Sequence, residues 1–267
     1  MSNQGGEARM RMMCGGRACA AVVLAAVTVT SCTVDKRSGE VRAFEEALQP
    51  LGQAKSFRMV GELRSPDGAR TRFDARLDGR GGCVGTVGDA ESLLVGKRVW
   101  TRWSDSALPA AVSRLAGDEE VAPIDPVADP AEDVQWDAAN LLRGAYMVTT
   151  LPGEQPEMEG IAPVCQTGLL LAGAATGADD VTSGPVTVRD GERLRPLSRT
   201  DGPVTIRVYV PAQGSPKARL AEYQVEGGRS MSVQFRDLGK PVAVRVPEGE
   251  RTVASRDVMT VLHQDGT

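Results

Sequence analysis

From residue 41 to 51 the apolar side chains Val41, Phe44, Ala47, Leu48 and Leu51 recur at spacings of three and four, which predicts a short amphipathic helix ending near Gly52. From Ser56 the period changes to two. Phe57, Met59, Gly61 and Leu63 alternate with Arg58, Glu62 and Arg64. After the turn Pro66, Asp67, Gly68, the residues Thr71, Phe73, Ala75 and Leu77 alternate with Arg70, Arg72, Asp74 and Arg76. Two antiparallel strands with one dry and one wet face follow. The glycine-rich turn 78–82 leads into a continuing meander through Val84, Thr86, 93–95 and 99–103. Between 104 and 142 the alternation is lost. Leu108, Val112 and Leu115, then Val134, Trp136, Ala139 and Leu142, predict two short helices around a loop of acidic residues and prolines. Tyr146–Thr150 reads as a strand and 165–172 as a short apolar, helical segment. Strand texture returns at 204–210, 220–225, 231–235 and 242–246. Strand-rich blocks around a helical insert define an α+β class built on an antiparallel sheet.

The first residues follow a different logic. Arg9, Arg11 and Arg17 precede an apolar run at 18–29, too short for a span of ~20 residues and of the length of a signal-peptide core. Any of Met1, Met10, Met12 or Met13 could start that signal. The run ends in Val29, Thr30, Ser31, Cys32, which resembles the bacterial lipobox. The resemblance implies cleavage after Ser31 and a lipid on Cys32, which would hold the protein on the outer face of a membrane. The expected organisation is a signal peptide over 1–31, a polar tether over 32–40, one domain over 41–247 and a C-terminal tail over 248–267.

Removal of the signal leaves Cys83 and Cys165 besides Cys32. Outside the cytoplasm the simplest state of two such thiols is a disulfide, with two separate buried thiols as the alternative. A zinc site needs further ligands, and the only histidine of the chain is His263. The chain has a formal net charge of −4 and no basic run, which speaks against nucleic acid as a partner. The sequence contains neither G-x-S-x-G nor H-E-x-x-H, and the glycines at 79–88 do not form a phosphate loop. The acidic stretch 118–133 lacks EF-hand spacing for calcium. No metal, no cofactor and no enzymatic activity are expected. Trp100 and Trp103 fall on opposite faces of one strand, so at most one can line a given cavity.

With helix, meander, helical insert and closing strands in view, the mature chain resembles the LolA-like and LppX/LprG-like bacterial lipoproteins. The likeness rests on Ala54, Lys55, Ser56 and Phe57 after the first helix, on the segment 94–100 (LVGKRVW), on Cys165 before an apolar segment, and on 235–242 (FRDLGKPV) with Pro247. It extends over roughly residues 41–247. It implies a strongly curved antiparallel sheet, an incomplete barrel, whose concave face is covered by helices around an apolar cavity for acyl chains or glycolipids.

The expected function is therefore a membrane-anchored, extracytoplasmic lipoprotein that binds or carries a lipid or glycolipid. The inward residues Phe57, Met59, Leu63, Phe73, Leu77, Met231 and Val233 are the expected lining of the site, with the 41–51 helix as part of its lid. A structural or interaction lipoprotein of the envelope, with a packed core and no ligand, is the alternative. A hydrolase using two carboxylates is a third reading, and no residue pattern selects the pair.

Overall fold

A computed structural model describes residues 39–117, 134–151, 160–174, 180–214 and 217–263. The chain divides into Met1–Lys36 and Arg37–Thr267, and every described residue belongs to the second unit. Helix α1 (Gly39–Gln53) comes first and buries Val41, Phe44, Ala47, Leu48 and Leu51. The strands β1 (Ser56–Arg64), β2 (Arg70–Asp78), β3 (Cys83–Val87), β4 (Ala90–Val95) and β5 (Arg98–Trp103) follow as an antiparallel meander. The helical insert consists of α2 (Leu108–Ala116) and α3 (Val134–Leu142), followed by β6 (Tyr146–Thr150) and α4 (Ile161–Gly173). The last third contains β7 (Val181–Ser183), β8 (Thr187–Arg189), β9 (Glu192–Asp201), β10 (Val204–Pro211), β11 (Leu220–Val225), β12 (Ser230–Arg236), β13 (Thr252–Ala254) and α5 (Ser255–Leu262).

All thirteen strands of the described residues join one sheet in the order β13-β6-β5-β4-β3-β2-β1-β12-β11-β10-β9-β7, with β8 beside β9. Every pairing is antiparallel except that of β13 with β6. The two ends of this order do not meet, so the sheet is an open one. Turn chemistry sets its registers. Between β2 and β3 the Asp78 carboxylate accepts hydrogen bonds from the backbone N–H groups of Arg80 (2.9 Å) and Gly82 (2.7 Å), and Gly81 takes a φ of +87°, a conformation open to glycine.

The sheet is curved around its helices. One apolar cluster draws on α1 and α4 and on the inner face of every strand from β5 round to β9, including Val99, Leu94, Cys83, Leu77, Met59, Val233, Ala221, Val208 and Leu197. Laid flat at ~4.8 Å per strand, those nine strands would span nearly 40 Å. Two helices each ~10 Å across reach them all only if the sheet bends toward the helices. A second cluster on the same face packs α2, α3 and α5 over β5, β6 and β13, with Leu108, Val112, Ala139, Leu142, Met147 and Val258 buried and Trp103 at its margin. On the opposite, outer face Leu93, Trp100 and Tyr146 pack together with Val244.

Three stretches depart from the sequence expectation. Residues 242–246 are not a strand; they cross the outer face, where Val244 caps Trp100 and Leu93, and a chain with one side against a sheet shows the same alternation as a strand. The expected tail is structured over 249–262, because β13 pairs with β6 and α5 buries Val258 completely. No element was expected in 173–203, yet β7, β8 and β9 lie there. The inner face of β9 carries Arg195 and Arg199 on either side of Leu197, so its charges hide the alternation.

Candidate functional site

Helix α4 organises the concave face. Ile161, Ala162, Val164, Cys165, Gly168 and Leu171 recur at helical spacing and are buried against the sheet. Pro163 sits in the first turn, where its missing N–H costs no helical hydrogen bond. Cys165 is bonded to Cys83 of β3, with the Cα atoms 6.1 Å apart, so α4 is tied to the sheet. One turn further on, Gly168 faces Met59 and Leu77 so closely that any side chain there would have to displace Met59.

The other flank of α4 is not packed. Gln166, Leu169, Leu170, Gly173 and Ala174 face Arg199 and Asp201 of β9, Val204 and Ile206 of β10 and Tyr223 of β11 across a cavity of about 770 Å³. Strand register places these residues together, since Ile206 is opposite both Arg199 and Tyr223, and Asp201 is opposite Val204. The volume lies within the ~300–1,000 Å³ of small-molecule sites, and the lining is mostly apolar. Leu169 and Leu170 remain 47% and 55% exposed, so this side of the helix presents apolar surface that the described residues do not cover.

The residues expected to line a site lie on the same face but in its packed part. Phe57, Met59, Phe73, Leu77, Met231 and Val233 are buried in the core under α1 and α4, and half-buried Leu63 packs at its edge. None of them lines the cavity. Met231 comes nearest in register, opposite Tyr223. Helix α1 packs into the same core. Trp100 and Trp103 do lie on opposite faces, one in the outer cluster and one beside α2, α3 and α5, and neither reaches the cavity. Cys32 and the acidic stretch 118–133 are outside the described residues. Among the described residues, no group of three or more His, Cys, Asp and Glu could hold a metal ion, and no helix is long and apolar enough to cross a membrane.

Several charges on the outer face are paired with one another. Glu222 accepts from Arg189 at 2.8 Å, from Arg207 at 3.2 Å and from the Tyr209 hydroxyl at 2.9 Å, while the Arg189 guanidinium stacks over the Tyr209 ring. Burial pushes the Tyr209 phenol up. Arg58 donates to Asp74, and this hydrogen bond holds the Asp74 carboxyl below its ordinary value. Arg199 is different. Among the described residues its only ion-pair contact is Asp201 at 3.9 Å, too long for a hydrogen bond.

No protein-family model and no curated protein matches the chain. Solved structures do. LprF from Mycobacterium bovis is similar over 80% of this chain and 99% of its own, at 13% identity and a TM-score of 0.43. The lipoprotein LppX of Mycobacterium tuberculosis is similar over 77% of this chain and 98% of its own, at 11% identity and a TM-score of 0.39. A LolA-superfamily protein of Nitrosomonas europaea is similar over 80% of this chain and 96% of its own, at 11% identity and a TM-score of 0.27. At these identities the likeness is one of chain course alone.

Proposed function

We propose that this chain is a lipoprotein, anchored through Cys32 at the outer face of a membrane, whose domain binds a lipid in the cavity between α4 and β9–β11. The observation that carries the reading is that cavity. It measures about 770 Å³, it is mostly apolar, and the exposed Leu169 and Leu170 line it. Apolar surface facing water costs ~25 cal/mol per Å², so an acyl chain laid along these residues is stabilised by removing it from water. The site holds and releases its ligand without chemistry on it. A packed core around Gly168 and Met59 favours the second reading, an envelope interaction protein, for the part of the face under α4.

Gly173 offers a direct test, because it lines the cavity and a Cβ added there meets nothing within 4 Å. Native mass spectrometry of protein extracted in mild detergent should detect bound lipid on the wild type and several-fold less on Gly173→Phe at unchanged thermal stability. Protein without lipid, and without uptake of an added fluorescent fatty acid, would leave the interaction reading in its place. For the anchor, metabolic labelling with a fatty-acid analogue should mark the wild type and not Cys32→Ala.

A further inference from the structure

The cavity floor is apolar on both sides of one cation. In the ladder, Arg199 stands between Val181 of β7 and Ile206 of β10, with Leu197 and Tyr223 nearby on the same face. Its side chain is only 23% exposed, so most of it lies out of water. Five N–H donors in a fixed fork then need an acceptor. The only carboxylate in contact among the described residues, Asp201, is 3.9 Å away and 82% exposed, which leaves it in solvent rather than against the fork. On the outer face, by contrast, Arg189 and Arg207 have Glu222 within hydrogen-bond reach.

Resting on the reading of the cavity as a lipid site, we infer that it selects an amphiphile with an anionic head, held by Arg199, with the chain laid along Leu169, Leu170 and Ile206. A guanidinium binds a carboxylate or a phosphate through two parallel hydrogen bonds, and a neutral alcohol or ester cannot match both charge and fork. Tyr223 and Gln166 line the same space and carry neutral donors. Asp201 opposes the anion and so weakens its binding. Carboxylate and phosphate heads share this chemistry, and the ligands tested tell them apart.

The test is displacement of a neutral fluorescent probe, N-phenyl-1-naphthylamine, from full-length Cys32→Ala protein by dodecanoate, dodecyl phosphate, dodecanol and inorganic phosphate. One or both anionic amphiphiles should bind at least about tenfold more tightly than dodecanol, the ratio expected for a charge-assisted hydrogen bond. Arg199→Met should erase that advantage, Arg199→Lys should keep part of it, and Asp201→Asn should enlarge it. Equal affinity of anions and alcohol, or a preference that survives Arg199→Met, overturns the inference while leaving the lipid site standing. Displacement by inorganic phosphate as effective as that by dodecyl phosphate also overturns it. Failure of the probe and of all four ligands to bind removes the lipid site itself. Should Arg199→Met not fold, the Lys and Asn variants decide, since an unchanged anion-to-alcohol ratio in both contradicts the role of Arg199.

Discussion

Met59 occupies the place where a side chain on Gly168 would have to go. A Cβ there would lie 2.7 Å from the Met59 Cε and 2.8 Å from its sulfur, with Leu77 at 3.2 Å, so α4 rests directly on β1 and β2. This close approach fills the face beneath α4, and the cavity lies on the other flank of the helix. Gly168→Val should therefore destabilise the protein by about 1–3 kcal/mol through overpacking. Met59→Ala alone should cost ~2–5 kcal/mol for the cavity that it leaves. Combined, the two should cost less than their sum, and a double-mutant cycle by urea denaturation reads the difference. Strict additivity would show that the two residues do not share the space.

The bond between Cys83 and Cys165 closes a sequence separation of 82 residues and holds α4 on β3. In the chain-entropy model a loop of that size contributes roughly 4.5 kcal/mol. Replacing both cysteines by alanine should lower stability by ~2–5 kcal/mol, and wild-type protein treated with reductant should approach the variant. Non-reducing peptide mapping that recovers both as free thiols would contradict the link.

Asp74 should contribute to the acid limb of stability. Its folded carboxyl titrates below the ordinary ~3.9 because Arg58 donates to it. A lowered folded value means that the stabilisation is complete above the unfolded value of ~3.9 and is lost as the pH falls from there through the folded value. Asp74→Asn should accordingly be less stable than wild type at neutral pH, with the two converging below about pH 4. Denaturation midpoints between pH 2 and pH 7 read this, and the gap should narrow in high salt because the pair is partly exposed. A gap that stays constant down to pH 2 would refute the linkage.

Removal of the C-terminal segment should be costly. Val258 is fully buried among Leu108, Val112, Ala139 and Leu142, and β13 covers the edge of β6. Val258→Asp places a charge in that cluster without a partner among the cluster's apolar residues, and it should cost at least ~3 kcal/mol. Truncation after Arg251 should also expose apolar surface to a dye such as 8-anilinonaphthalene-1-sulfonate. A truncated chain that melts like wild type would return the segment to the status of a tail.

The alternation at 56–77 and 204–235 determined by itself that these residues are strands and which side of each is dry, because the β period assigns every second side chain to one face. The three- and four-residue spacing did the same for α1. Neither pattern names what covers the dry side. Burial is non-directional, so Phe57, Met59 and Leu77 are equally satisfied by a lipid or by α4, and only the packing of Gly168 on Met59 decided for the helix. The cavity lies where the sequence looks least like a site. Arg199 and Asp201 interrupt the alternation of β9, and Leu169 and Leu170 read as part of one uniformly apolar run in α4. Which side of that run faces the core follows from the disulfide at Cys165 and the contact at Gly168, and these are pairings across the fold that no local spacing contains.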